Sequence, residues 1–407
     1  MGYDETGRSA PADASSGVPA AVLENVFDDP SHGEPGRDRI AVHVVWEVLL
    51  LAGLAAVTWL LWRENPDALR GAGLKSLLVD VVGLGLLALA AGLSLRAAAV
   101  NLAVGPVAVA AALHFAEQGD RGLREALLPA LAVAALGGLA LGLVVVVLHV
   151  PGWAASLAGA AAVIVYIERR TFPVVVQGAY DPRRTALYLF VGFAAVAVLG
   201  GLFGAIKPVR RLVGRFRPVA DPARRRGAVA ATVTMLALAG STVLALLGGV
   251  LIAANGSGPV VPGTGLDWTV LAVGAVLLAG TSAYGRRGGI FGALLAVGLV
   301  EVFLAWATAR GWTVSRWALG AAALGVGLLA TRLVETFGRP RVPGAGTVEV
   351  GPPGDGTISS GWALTPQPEQ ADTWPSVLPI RTTDTAVDAW DAPRWETGPR
   401  RWEDDDR

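Results

Sequence analysis

The sequence contains no cysteine and carries little charge. Because none of its 407 residues is cysteine, disulfide bonds, thiolate metal sites and cysteine nucleophiles are excluded. Only 16% of the residues are charged, against about 25% in soluble domains, and 53% are hydrophobic. The four histidines are scattered, without the close spacing of metal ligands. This composition indicates lipid as the main solvent of the chain.

Long apolar runs predict an all-α polytopic membrane protein with about ten transmembrane helices. Helices are expected because lipid cannot satisfy the open edges of a sheet. The predicted spans lie at about residues 40–62, 74–95, 97–116, 126–148, 153–167, 185–206, 228–254, 268–284, 288–309 and 317–337. A full crossing takes about 20 residues, so the short run at 153–167 is either a span or a re-entrant segment.

Two polar tails flank the apolar runs. Residues 1–39 and 338–407 are rich in small, polar and proline residues and have no apolar periodicity. Such composition predicts disordered tails around a transmembrane domain at residues 40–337. The second tail also carries scattered tryptophans, which leaves open a use as short anchors for a partner or for the membrane surface.

The distribution of basic residues predicts the orientation of the chain. The segment 207–227 contains eight Lys and Arg residues and one acid, whereas the loop at 254–266 has no charge. Cytoplasmic loops of membrane proteins are enriched in Lys and Arg. We therefore expect the segment 207–227 in the cytoplasm of a cell-membrane protein and, with ten spans, both termini there too.

The segment 168–184 agrees less well with this orientation, because it would lie outside and yet carries four arginines. Two explanations stay open at this point. Either the segment folds as an external element in which Glu168 and Asp181 are the partners of the arginines, or the run at 153–167 is re-entrant.

Three stretches of the chain are similar to motifs of one transporter family. VNLAVGPVAVAAAL (100–113) is similar to a GIDLSVG stretch in which a broken helix meets the substrate path. LVGRFRPVADPARRRG (212–227) is similar to the family's cytoplasmic loop. LAVGAVLLAGTSAYGRRGGIFGALLAVGLVE (271–301) is similar to its IAAVVIGGTSLxGGxGxxxG run. Over about residues 70–335 the chain thus resembles the permease subunit of ATP-binding cassette importers of the ribose and branched-chain amino acid class.

The resemblance implies transport of a small polar solute. In that family two permease copies, or one copy and a related chain, work with two ATPase subunits and an external solute-binding protein. The implied cargo is first a sugar, and next a branched-chain amino acid or a nucleoside. No catalytic residue, cofactor or metal is expected on this chain. Asn101 replaces an Asp frequent in the family and Ala279 the first Gly of GGTS, which puts the substrate in question more than the fold.

Polar residues and helix breakers within the apolar runs are the candidate substrate path: Asn101, Gly105, Thr281, Ser282 and Glu301. Asn101, Gly105 and the proline after it interrupt the third run, and a disrupted helix is tolerated only where protein or water lines it. The alternative is a kinked packing helix in which Asn101 bonds to a neighbour.

Acidic residues in apolar runs pose the same choice between function and packing. A carboxylate at the bilayer centre costs roughly 2.5–3.5 kcal/mol on insertion scales, so Glu301 should face the bundle interior or a cavity. Its structural alternative is a hydrogen bond to Thr281, Ser282 or another span. Glu47 is near enough to the end of its span to reach the interface, and Lys75 is near enough to Asp80 to pair with it.

The segment 207–227 is also the candidate ATPase-coupling loop, through a short helix around 221–226. The residues expected to take part are Arg211, Gly214, Arg215, Asp221, Arg224, Arg225 and Arg226. The alternative is that these charges fix the orientation of the chain and do no more. Nucleic-acid binding is not expected, since the basic run is short and adjoins the membrane.

Two other functional classes stay open. A polytopic membrane enzyme would need acids and histidines clustered with catalytic geometry, and the loops 255–267 and 309–315 offer none. A membrane-embedded interaction protein would use the tryptophan-bearing tail as its working part. Removal of that tail would distinguish this last class from a permease, because a permease should still transport its solute without the tail.

Overall fold

The structure, a computed structural model, describes residues 40–205, 228–283 and 290–338. These ranges hold ten α-helices and no β-strand, which confirms the all-α prediction for this part of the chain. The helices are α1 (Ile40–Glu64), α2 (Gly71–Arg96), α3 (Val104–Gln118), α4 (Leu123–Val147), α5 (Gly152–Glu168), α6 (Ala186–Ala205), α7 (Ala228–Asn255), α8 (Leu266–Leu278), α9 (Gly292–Ala309) and α10 (Arg316–Gly338).

Six of these helices are long and apolar enough to cross a membrane: α1, α2, α4, α6, α7 and α9. The helices α3, α5 and α8 have 15, 17 and 13 residues. At 1.5 Å per residue they reach about 20–26 Å, short of a hydrocarbon core of about 30 Å. Each predicted run contains a helix, but ten complete crossings are not confirmed.

One end of the bundle, which we call the Arg170 end, collects the connections at 64–71, 118–123, 168–185, 255–266 and 309–316. Polar contacts join them. The end of α1 meets the end of α9 where Arg310 Nη1 lies 2.9 Å from Glu64 Oε1. Asp267 of α8 pairs with Arg316 of α10 at 2.6 Å. The connections at this end therefore form one linked layer.

The opposite end, which we call the Arg96 end, collects the connections on the other side of the helices. The guanidinium of Arg96 donates to the carbonyl of Gly200 at 3.1 Å, which joins α2 to α6. The indole of Trp46 donates to the carbonyl of Leu278 at 2.8 Å. Glu47 accepts the backbone N–H groups of Phe291 and Gly292 at 2.8 and 3.1 Å, so its carboxylate caps the start of α9.

The centre of the bundle is built around α2 and α7. Both present a large share of their apolar surface to other helices, whereas α1 lies at the periphery and exposes most of its side chains. The largest cluster of buried side chains includes Leu84 and Leu87 of α2, Leu271 of α8 and Val297 of α9. Small residues fill the closest helix crossings, as expected where packing rather than hydrophobicity holds helices together.

The segment between α5 and α6 folds as an ordered element at the Arg170 end. Its Val174 forms an antiparallel backbone bridge with Val260, and the N–H of Gln177 donates to the carbonyl of Ala116. Its arginines, however, do not use the expected partners. Arg170 binds Glu117 of α3 through two contacts of 2.5 and 2.8 Å. An acid of a neighbouring helix thus replaces the predicted local one.

A second arginine of this segment also finds a partner on a neighbouring helix. Arg183 donates to the side-chain and backbone oxygens of Asn255 at 3.0 and 3.1 Å. Asp181 instead accepts the backbone N–H of Arg183 at 3.0 Å, and so caps the short 3₁₀ helix Pro182–Thr185.

Candidate functional site

The connection at 97–103, between α2 and α3, is non-helical and partly enclosed by the bundle. Asn101, which is fully buried, is its hub. Its side-chain amide donates to Ser241 of α7 at 2.9 Å and its carbonyl oxygen accepts from Ala103 N at 3.0 Å. Its backbone N–H donates to Ser94 at 3.1 Å. The predicted break in the third run is present, and protein groups satisfy it.

A hydroxyl of α5 holds the same connection from the other side. Ser156 Oγ donates to the carbonyl of Val100 at 2.8 Å and accepts the N–H of Leu102 at 3.0 Å. Buried backbone groups outside regular structure need such partners. Helices α2, α5 and α7 therefore fix the course of this segment through hydroxyl and amide side chains.

Gly105 lies in the first turn of α3, where it meets the start of α8. Its N–H donates to Thr269 Oγ1 at 2.9 Å. A Cβ at Gly105 would lie 1.8 Å from the carbonyl oxygen of Gly265, so the two backbones touch. Gly265 itself has a φ of +72°, which favours glycine. Two helix starts thus meet inside the bundle.

The structure corrects the predicted position of the break. The helix begins at Val104, so Gly105 and Pro106 belong to its first turn and do not interrupt it. Proline fits that position because the first-turn N–H groups have no helical acceptor and its fixed φ suits a helix. Of the predicted breakers, only Asn101 lies in the non-helical connection.

Thr281 and Ser282 follow the end of α8 and are both buried. The carbonyl of Thr281 accepts a hydrogen bond from Thr331 of α10 at 3.4 Å. These two residues therefore lie beside α10, whereas Asn101 and Gly105 lie beside α7 and the start of α8. The predicted path residues occupy different neighbourhoods of the bundle.

Glu301 is partly buried on α9, a helix with no exposed residue between Gly292 and Ala307. Its carboxylate makes no hydrogen bond or ion pair with any described residue, so the expected bond to Thr281 or Ser282 is not formed. Asp80 of α2 is the acidic residue with which Glu301 interacts electrostatically. The prediction that Glu301 faces the interior agrees with this placement.

The structure gives Asp80 a partner other than Lys75, the residue that the sequence suggested. Its Oδ1 accepts a hydrogen bond of 2.6 Å from the side-chain amide of Asn255, whereas Lys75 is exposed. Asn255 also donates to the carbonyl of Ser76 at 3.0 Å. Since Arg183 donates to Asn255 as well, one buried amide links α2, α7 and the turn before α6.

A cavity of about 420 Å³ adjoins this network at the Arg170 end. The connection between α1 and α2, the first turns of α2 and one residue of α9 form its wall. The lining residues are Asn65, Asp67, Ala68, Gly73, Ser76, Leu77, Asp80 and Ala305. Nothing in the sequence distinguishes Asn65, Asp67 and Ser76, because they lie near a helix start, where polar residues are common.

The seven residues predicted to couple to an ATPase all fall outside the described part of the chain, as do both predicted tails except for Gly338, the last residue of α10. Within the described ranges, no group of three or more histidine and acidic side chains could hold a metal ion. No protein-family model, no curated protein and no solved structure matches this chain. The family resemblance therefore depends on the three sequence stretches.

Proposed function

We propose that this chain is the permease subunit of an ATP-binding cassette importer and forms the path for a small polar solute. The observation that carries the proposal is the meeting of α3 and α8. Both helices are too short to cross a membrane and begin inside the bundle, after the non-helical connections at 97–103 and 256–265. Interrupted helices of this kind line the solute sites of many transporters.

The orientation of the proposed permease follows from the charges at the two ends of the bundle. The helices α6 and α7, which flank the basic segment 207–227, have their ends Ala205 and Ala228 on the side of the Arg96 end. Eight Lys and Arg residues against one acid in that segment favour the cytoplasm. At the Arg170 end, three of the arginines are paired with acids, namely with Glu64, Glu117 and Asp267. We therefore assign that end to the outside.

The proposed mechanism couples a motor on one side to the path between two permease copies. ATP binding draws the ATPase subunits together, and the segment 207–227 passes their movement to α6 and α7. The helix α7 contacts the Asn101 connection through Ser241 and the external layer through Asn255. A shift of α7 would therefore act on both ends of the path. A sugar is the first candidate cargo, and an external binding protein would deliver it.

Charge reversal in the basic segment tests the coupling. We expect the triple variant R224E/R225E/R226E to insert normally, to lose the ATPase subunit from the purified complex and to lose uptake of labelled pentoses and hexoses. The matched control is R121E/R124E, which reverses two exposed arginines at the opposite end. Unchanged uptake and unchanged ATPase recovery with the triple variant would overturn the proposal.

A further inference from the structure

The outer face of α1 carries an apolar groove of about 470 Å³. The residues of α1 that line it recur with the three- and four-residue spacing of one helix face. They are Leu51, Leu54, Ala55, Thr58, Trp59 and Trp62. The one hydroxyl among them, that of Thr58, already donates to the carbonyl of Leu54. A ligand along this face therefore meets hydrocarbon and aromatic surface.

The groove has the depth of one leaflet of a bilayer. Leu51 lies near the middle of α1, and Trp62 lies near its end at Glu64. From Leu51 to Trp62 the helix rises about 16 Å at 1.5 Å per residue, and half of a hydrocarbon core of about 30 Å is about 15 Å. Trp59 and Trp62 are both exposed at one end of the groove, and tryptophan is enriched at membrane–water interfaces. The groove thus extends from the interface to mid-bilayer, as an acyl chain does.

An arginine stands at the interfacial end of the groove. The Cζ atom of Arg63 lies 5.1 Å from the ring centre of Trp59, which is a cation–π contact. No acid within the described ranges pairs with Arg63, because Glu64 binds Arg310 at 2.9 Å. Asp67 lines the cavity between α1 and α2 and not the groove. The positive charge at this end of the groove is therefore not neutralised by a described carboxylate.

A second arginine at the Arg170 end shows what Arg63 lacks. Arg316 also lies over a tryptophan, with its Cζ atom 4.6 Å from the ring centre of Trp268. Its guanidinium in addition donates to Asp267 at 2.6 Å. Arg63 has the same aromatic support, but no described residue accepts a hydrogen bond from its side chain. Since a guanidinium matches phosphate geometry well, an anionic headgroup at the interface would supply the missing acceptor.

We propose that the groove on α1 holds a phospholipid with an anionic headgroup, drawn from the leaflet at the Arg170 end. One acyl chain lies along α1 from Trp62 to Leu51, and the lipid phosphate accepts the N–H groups of Arg63. Leu69, in the next turn of the chain, also lines the groove, and the exposed Arg70 beside it adds a second positive charge. The site does not depend on the transport function, since the groups that form it belong to this chain alone.

A second copy of the chain is the competing occupant of this face. Two copies related by a two-fold axis along the membrane normal would present the same residues to each other. The two Arg63 guanidinium groups would then meet at one depth, where like charges repel. The unneutralised arginine therefore favours an anionic lipid over a second copy.

Native mass spectrometry of the purified full-length chain in detergent tests the headgroup contact. The probes are dioleoylphosphatidylglycerol, which is anionic, and dioleoylphosphatidylcholine, which has the same acyl chains and no net charge. A titration gives the apparent dissociation constant of the first bound lipid. We expect the anionic lipid to bind more tightly, and R63Q to weaken its binding by about tenfold, because a charge-assisted hydrogen bond is lost. The control R124Q, which removes an exposed arginine at the same end but away from the groove, should leave it unchanged.

A matched pair of substitutions on α1 tests the groove itself. A55W would fill the groove, whereas A56W adds the same side chain at an adjacent exposed position that does not line it. We expect A55W to weaken the binding of both lipids and A56W to weaken neither. Gel filtration would show whether each variant folds, and L51W, at the inner end of the groove, serves if A55W does not.

Three results would overturn the proposal: equal binding of the two lipids by the unaltered chain, unchanged binding of the anionic lipid by R63Q, or equal binding by A55W and A56W. A lipid-free dimer that A55W abolishes and A56W preserves would also overturn it, because a second copy would then cover the groove. None of these measurements depends on solute uptake or on an ATPase subunit, so they leave the proposed transport function to its own test.

Discussion

At the scale of single residues, the contact between Glu117 and Arg170 is the best-defined ion pair of the Arg170 end. Two parallel hydrogen bonds join the carboxylate to the guanidinium, and Tyr166 accepts a further one from Arg170 at 2.8 Å. The bonds from Arg170 lower the pKa of Glu117, and the carboxylate in turn raises the pKa of Arg170. Such bidentate geometry distinguishes this pair from ordinary surface pairs.

The variant E117Q should therefore lose stability in a manner that depends on pH. Since the pKa of Glu117 is lower in the folded chain than in the unfolded one, the pair stabilises the fold above the unfolded pKa of about 4.3, and this contribution disappears as pH falls through the folded pKa. We expect a loss of about 1 kcal/mol at pH 7, because both groups are partly exposed. Thermal unfolding at pH 7 and at pH 3 would measure it. An equal loss at both pH values would contradict this account. The control is E64Q, which removes a single exposed contact and should lower the free energy of unfolding by less.

Gly105 is the residue at which backbone contact is closest. The variant G105A would place a methyl group 1.8 Å from a backbone oxygen that no rotamer change can move. We expect the free energy of unfolding to fall by about 1–3 kcal/mol or more. The loss would be seen as a lower melting temperature or as aggregation in detergent. G137A is the control, because a Cβ there meets no atom within 4 Å. Equal stability of both variants would exclude the close approach.

At the scale of elements, the sequence predicts helices well and their ends less well. The run predicted at 153–167 is the helix Gly152–Glu168, since apolar residues continue there without a breaker. The eighth helix, however, ends at Leu278 and not near residue 284. Thr281 and Ser282 are small and fit an apolar pattern, and only their burial against α10 shows that the helix has ended before them.

The polar anchors of the 97–103 connection are harder to predict than its existence. Ser156 and Ser241 are isolated hydroxyls in apolar helices, and a serine there equally well bonds to its own helix. Nothing local indicates that both contact one segment far away in the sequence. Asp80 shows the same limit, because its partner Asn255 is 175 residues away. Long-range pairs of this kind follow from packing and not from the local pattern.

The variant S156A should loosen that connection without unfolding the bundle. It leaves the carbonyl of Val100 and the N–H of Leu102 without their partner, which costs about 1–3 kcal/mol for a buried group. We expect faster hydrogen exchange at residues 99–103, measured by mass spectrometry. T58A is the control, because the Thr58 hydroxyl donates only within its own helix, to Leu54. Identical exchange in both variants would show that Ser156 does not hold the segment.

At the scale of the whole molecule, composition and charge predict the class of protein but not the number of crossings. The apolar content and the length of the apolar runs predict a helical membrane protein, and the six long apolar helices agree with that prediction. The helices α3, α5 and α8 cannot be told from complete spans by sequence, because a short apolar helix has the same composition as a helix that crosses fully. The structure was therefore needed to locate the ends of the described helices.

Deletion of residues 340–407 separates a permease from a protein whose tail is its working part. The bundle of ten helices ends at Gly338, so the deletion removes none of the described contacts. We expect solute uptake and membrane insertion of the truncated chain to equal those of the full chain. Loss of uptake with normal insertion would instead assign the function to the tail.

The orientation of the bundle is the central claim, and the absence of cysteine makes it directly measurable. Single cysteines introduced as S257C, at the Arg170 end, and A220C, in the basic segment, would be treated with a membrane-impermeant maleimide in intact cells and after lysis. We predict labelling of S257C in intact cells and of A220C only after lysis. Labelling of A220C in intact cells would contradict the account, because the arginine-rich segment would then face away from any ATPase.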